Sequence, residues 1–151
     1  ESITLTGTGR FKRTGMTISI GLADGYVAFG ACAYDYTNHY VASTGPAVYV
    51  VAVPIRDNLT ITQVDVEVYG NGVCNIDTGA YKLDAAGVYY TASVNSTPGA
   101  AYATQTIGNA TLAASWTSGQ TFTGYSTLEF RFTFDAAGGR VSRIKVTANE
   151  V

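Results

Sequence analysis

Three features of the sequence predict an all-β protein, built as a two-sheet antiparallel β-sandwich or jelly roll. The first is alternation: in Leu59 to Tyr69, Val64, Val66 and Val68 alternate with Asp65, Glu67 and Tyr69. A period of two puts one set on each face of a pleated strand, so one face is buried and the other wet. The second is composition, because 17 Gly and 11 Tyr with abundant Thr and Val, against one Met and few Leu, suit strands and turns better than helices. The third is the recurrence of turn signals at intervals of roughly 8–14 residues, the spacing of a sandwich or barrel. At 151 residues the chain is read as one domain, 1–151. That length buries roughly 68–70% of the unfolded surface without needing staples.

Taken in order, residues 1–9 form a short strand with Ile3 and Leu5 on one face, a terminal strand that closes its own sheet or is exchanged with a neighbour. Met16 to Leu22 alternates again, and Asp24-Gly25 suggests a hairpin into Tyr26 to Tyr36, whose small residues predict close packing. Thr37 to Pro46 reads as a polar loop around His39. Ala47 to Val53 is continuously apolar, which predicts cover on both faces, and Pro54 should end it. In Leu59 to Tyr69 the parity of Leu59 and Ile61 differs from that of Val64 to Val68, which calls for a bulge near Thr62 and Gln63 or a change of which face is covered. Gly70-Asn71-Gly72 is a turn, Val73 to Leu83 a strand, Asp84 to Gly87 a turn, Val88 to Val94 a strand and Asn95 to Tyr102 a loop. Residues 103–125 fix no register and no helix is predicted. Leu128, Phe130, Phe132 and Phe134 should point inward, opposite Glu129, Arg131 and Thr133; after the turn at Asp135 to Gly139, so should Ile144, Val146 and Ala148. On the wet faces, Asp65, Glu67 and Glu129 are expected to meet Arg131, Arg143 and Lys145 across strands.

Charge excludes several functions. The formal net charge is −2, and the basic residues are dispersed apart from Arg10, Lys12 and Arg13. A duplex nucleic-acid binder needs clustered cations, so no nucleic-acid partner is expected. Membrane insertion is not expected either, since no apolar run approaches the roughly 20 residues of a spanning helix. No signal-peptide pattern is present, and a start at Glu1 suggests processing or excision from a longer polypeptide. Cys32 and Cys74 could form a disulfide if their strands are neighbours, or remain free. Asn58, Asn95 and Asn109 head Asn-x-Ser/Thr triplets, which a Thr-rich chain also produces by chance.

Catalytic constellations are not legible. A Ser-His-Asp arrangement would have to use His39, whose neighbours form no nucleophile elbow. The acids fall at turns or on wet strand faces instead of as a catalytic pair. Asp35, Asp57 and Asp77 lack the dense oxygen-ligand spacing of a calcium loop, and phosphate-cradling glycine motifs are absent, so neither catalytic residues nor a cofactor is predicted. The aromatic residues carry the functional signal. Tyr34, Tyr36 and Tyr40 gather around one loop, and Tyr89, Tyr90, Tyr102, Trp116 and Tyr125 populate another region. Three roles suit them: filling or rimming the core, anchoring a subunit interface, or stacking on sugars.

The segment 53–146 resembles a jelly-roll-like module of phage virion surface and tail-fibre proteins and of related bacterial exported proteins. The residues that carry it are Val53-Pro54, the strand Leu59 to Tyr69, Tyr81-Lys82-Leu83-Asp84 and the closing run Arg140 to Thr147. The resemblance implies a non-enzymatic, outward-facing, oligomeric module, with a trimer favoured, and supplies no binding residues. The leading expectation is therefore a virion structural protein, a head decoration protein or fibre domain at a virion surface or outside the cell. It would act by self-association and adhesion to a capsid protein or cell-surface glycan. Two alternatives are carried with it: a carbohydrate-binding module using exposed Trp116 and tyrosines, and an extracellular filament subunit with a donated N-terminal strand.

Overall fold

The computed structural model describes residues 1–5, 11–55, 58–83, 88–96, 99–116, 119–122 and 126–151. Among these, the strands are β1 (Ser2–Leu5), β2 (Phe11–Thr14), β3 (Met16–Ile20), β4 (Tyr26–Asp35), β5 (Tyr40–Ile55), β6 (Leu59–Tyr69), β7 (Ile76–Leu83), β8 (Tyr89–Ser96), β9 (Ala103–Ile107), β10 (Thr121–Phe122), β11 (Ser126–Phe134) and β12 (Arg140–Glu150). One helix, α1 (Asn109–Ser115), lies in the segment where no helix is predicted; it is a two-turn piece held by a single buried side chain, Leu112, too short to show a period.

All pairings are antiparallel, and the fold is the expected all-β sandwich. One layer is β3-β12-β6, with β9 and β10 successive on the far side of β6; the other is β4-β5-β11-β7-β8. The layers are joined through β5, whose Val41 and Ala42 pair with β12 while Ala47 to Ile55 pair with β11. Thr44 to Pro46 have no ladder partner, so the strand bends there. Gly30 makes the bend possible: it has φ +76°, and a Cβ would stand 2.0 Å from the Pro46 carbonyl oxygen. Asp24-Gly25 and Asp135 to Gly139 therefore carry the chain between layers instead of closing hairpins, since β3 pairs with β12 and β4 with β5.

The alternation selects the core. Val64, Val66, Val68, Ile144, Val146 and Ala148 from one layer meet Ile76, Ala80, Leu128, Phe130, Phe132 and Phe134 from the other, all nearly inaccessible. Of the two ways to reconcile the parity of β6, the bulge is the one present. Gln63 pairs with Thr147 and Ile61 with Ala148, so Thr62 is the extra residue that brings Leu59 and Ile61 inward with the valines. Two polar groups cross the core interface: Thr78 donates to Gln105 Oε1 at 2.5 Å and Gln105 Nε2 to the Ile76 carbonyl at 2.6 Å.

Three local expectations are corrected. Thr37 to Pro46 is mostly strand, because β5 begins at Tyr40 in a hairpin with β4. Ala47 to Val53 is covered on both faces only at its centre: on the outer face Val50 is buried, whereas Ala52 is exposed and Val48 partly so. Pro54 does not end β5, which pairs through Ile55 with Ser126. At the N-terminus, β1 pairs with β2 of the same chain, and Arg13 ties β2 to β12 through Glu150 at 2.8 Å.

Candidate functional site

Antiparallel register places residues of neighbouring strands in transverse rows, and the outer face of the β4-β5-β11-β7-β8 layer can be read row by row. One row runs Tyr26, Val50, Arg131, Gly79, Ser93; another runs Phe29, Val48, Thr133, Asp77; a third runs Ala52, Glu129, Tyr81, Thr91. At the β11-β7-β8 end of these rows lies a groove of about 510 Å³, lined by Asp77, Gly79, Tyr81, Thr91, Ser93, Arg131 and Thr133. That volume falls in the range of small-ligand sites.

The groove is built by one missing side chain and one fixed cation. Gly79 is buried because the Tyr81 ring folds back over it: a Cβ at Gly79 would lie 2.7 Å from Tyr81 Cε2. The Arg131 guanidinium sits 4.4 Å from the Tyr81 ring centroid and 5.8 Å from that of Tyr89, whose ring meets Tyr81 edge-on at 6.3 Å. Glu129 holds the cation in place, accepting from Arg131 Nε at 2.6 Å, and this hydrogen bond raises the Arg131 pKa further. The pair is local, two residues apart on one strand, unlike the cross-strand pairs Asp65–Lys145 at 3.1 Å and Glu67–Arg143 at 3.6 Å. Those two pairs line a smaller recess of about 120 Å³ on the opposite layer. Burial raises the Asp65 pKa there, but hydrogen bonds from Thr106 and Gln63 outweigh it and leave the carboxyl below its ordinary value.

The predicted aromatic residues are distributed over four environments. Tyr89 is half-exposed and does not line the groove itself, its ring meeting the groove residue Tyr81 edge-on. Tyr90, one residue on, faces inward and packs against the core. Trp116 is fully buried, edge-on to Phe122 at 5.6 Å with its indole N–H toward the Ala80 carbonyl at 3.4 Å. The expectation of Trp116 as a surface platform is thereby overturned: the turn after α1 drives the ring between the layers. Tyr125 lies outside the described residues.

Tyr34, Tyr36 and Tyr40 do gather, at the end of the sandwich where the turns 36–39, 70–75 and 135–139 meet. Tyr36 is 75% exposed and edge-on to Tyr34 at 4.9 Å, and the Tyr34 hydroxyl lies 3.2 Å from His39 Nδ1. Tyr40 is occupied differently, its ring beneath Arg140 at 4.7 Å, with Tyr69 on the same cation at 5.2 Å. A hydrogen bond with Tyr102 raises the Arg140 pKa. Tyr34 and Tyr40 are thus engaged with a neighbouring ring, His39 and a cation, whereas Tyr36 remains open to solvent.

Cys32 and Cys74 are both free, so the candidate disulfide is not formed: Cys32 sits in edge strand β4, while the buried Cys74 thiol donates to the Asn75 and Ala136 carbonyls. Asp35 closes its own turn, accepting from the Thr37 and Asn38 backbone and the Asn38 amide, and these bonds lower its pKa to about 2. Asp77 lines the groove, and Asp57 lies outside the described residues. Asn58 is exposed, Asn95 falls within β8, and Asn109 begins α1.

The sequence reading missed Asp77, Gly79, Tyr81 and Arg131 as a site. Period-two alternation places all four on the outer face, but it gives no register across β7 and β11, and hence no proximity.

In sequence the chain matches no family model and no curated protein. In structure it is similar to TmCBM61, solved with β-1,4-galactotriose, with a TM-score of 0.51, 11% identity and coverage of 83% of this chain and 89% of that one. A Cellvibrio japonicus CBM35 gives 0.51 and 13% identity over 87% and 93% of the two chains. A Podospora anserina GH26-CBM35 β-(1,4)-mannanase gives 0.53 and 10% identity; 90% of this chain is covered, but only 28% of the mannanase. At these identities the likeness is one of fold, a β-sandwich of jelly-roll type.

Proposed function

We propose that the protein is a non-catalytic carbohydrate-binding module whose ligand lies in the groove over Gly79. The observation that carries this reading is the composition of that groove: Tyr81, with the fixed Arg131 guanidinium against its ring and Tyr89 edge-on beside it, together with the Asp77 carboxylate and the hydroxyls of Thr91, Ser93 and Thr133. An aromatic face takes the apolar face of a pyranose, and the polar groups accept and donate to its hydroxyls. The Arg131 charge is already matched by Glu129, and Asp77 adds a negative charge, so the groove suits a neutral, hydroxyl-rich ligand better than an anion.

The shared fold of carbohydrate-binding modules lends support, and such a role accords with an extracellular setting. On a virion or cell surface the same groove would make the chain an adhesion module. Isothermal titration against galactan, mannan, xylan and laminarin oligosaccharides tests the reading, with Tyr81→Ala as the site variant. Binding by the wild type that Tyr81→Ala abolishes is the expected result. Failure of the wild type to bind any of the panel, or undiminished binding by a folded Tyr81→Ala variant, overturns it.

A further inference from the structure

Two large aromatic side chains on the same sheet face take no part in the core or the groove: Tyr26 is 57% exposed and Phe29 is 66% exposed. Three residues apart, they would occupy opposite faces of a regular strand. A bulge removes that conflict. Tyr26 pairs with Val50, Val27 with Tyr49 and Phe29 with Val48, so Ala28 is the extra residue and both rings share the outer face.

The register then aligns them with the groove. Tyr26 heads the row that continues through Val50 and Arg131 to Gly79, and Phe29 heads the row through Val48 and Thr133 to Asp77. Between the two ends lie Val48, which is partly buried, and Val50, which is 2% exposed although it is not a member of the core cluster. From β4 to β7 is three strand spacings, about 14 Å. The outer face thus carries aromatic residues at both ends of the same transverse rows.

We infer that Tyr26 and Phe29 form a second aromatic platform of one extended binding strip, so that the ligand is a multi-residue saccharide chain lying across the strands and not a mono- or disaccharide. The inference rests on the groove binding carbohydrate. A ligand that spans the strip must exceed one pyranose ring, since a single ring in the groove cannot reach β4. The continuity of the two rows with the groove, in exact register, favours a saccharide chain over a second protein as the occupant.

The test measures affinity for a homologous series, from disaccharide to hexasaccharide, of whichever neutral glycan the wild type binds. It compares wild type with Phe29→Ala and Tyr26→Ala, folding being checked by circular dichroism. Wild-type affinity should rise with chain length. Phe29→Ala should leave disaccharide affinity unchanged and weaken the hexasaccharide by about tenfold, the loss of one packed aromatic contact. Length-independent affinity, or wild-type hexasaccharide affinity in both variants, overturns the extended strip while leaving the groove standing. If Phe29→Ala instead converts a dimer to a monomer in sedimentation with affinity unchanged, the rings form a self-association face and the inference also falls. Absence of any binding by the wild type removes the groove reading and this one together.

Discussion

Adding a single methyl group at Gly79 should separate binding from stability. The new Cβ would stand 2.7 Å from Tyr81 Cε2 and 3.4 Å from Tyr81 Oη, so the ring must swing off the sheet. Displacement costs the Arg131–Tyr81 contact, about 0.5–1 kcal/mol at an exposed site, and the edge-on Tyr81–Tyr89 pair, about 0.5–1.5 kcal/mol. Against this, replacing a mid-strand glycine returns about 0.5–1 kcal/mol. The net destabilisation of Gly79→Ala is therefore about 0–2 kcal/mol, which for a chain of this length lowers the thermal midpoint by about 0–8 °C. Binding should suffer more, because the platform leaves its place: loss of a central aromatic contact is about 2 kcal/mol, or about 30-fold in Kd. Thermal denaturation and isothermal titration on the same preparation read both quantities. A folded Gly79→Ala variant with wild-type affinity would refute the reasoning, as would a stability loss far beyond this range.

Trp116→Ala should cost about 3–5 kcal/mol in urea unfolding, as truncation of a fully buried ring does; a small loss would mean the ring is not in the core. Gln105→Leu removes the partner of the buried Thr78 hydroxyl and of the Ile76 carbonyl, costing about 1–3 kcal/mol. The Thr78→Val/Gln105→Leu double variant should recover part of this, and strict additivity would show that the two side chains are uncoupled. The Asp35 carboxyl is lowered to about 2 in the folded chain by hydrogen bonds from Asn38, against about 3.9 when unfolded. The unfolded state then binds more protons between those values, so its stabilisation is complete above about pH 4 and is lost as pH falls toward 2. Asp35→Asn should lose less stability than the wild type over that window, and equal acid sensitivity would count against the assignment.

How much was legible in the sequence follows from what each pattern encodes. Alternation in Leu59 to Tyr69, Leu128 to Phe134 and Ile144 to Ala148 fixed which side chains enter the core, because a one-residue slip would expose all of them at once. The parity change at Thr62 was visible for the same reason, since two apolar runs of opposite phase can share a core only through an extra residue. The bulge at Ala28 left no such mark: Tyr26 and Phe29 are exposed, and an exposed face imposes no apolar parity to violate. Trp116 was misread because the short helix beside it has no period to reveal which way the ring turns.

The sequence by itself therefore determined the strands, their buried faces and the turns between them, all of which depend on neighbours within a few residues. Only the tertiary structure decided which strands lie side by side. That choice laid the Tyr81 ring over Gly79, set the Arg131 guanidinium against that ring, and aligned Tyr26 and Phe29 with the same rows. Register between distant segments comes from packing two layers around one core, so it appears only once both are in place.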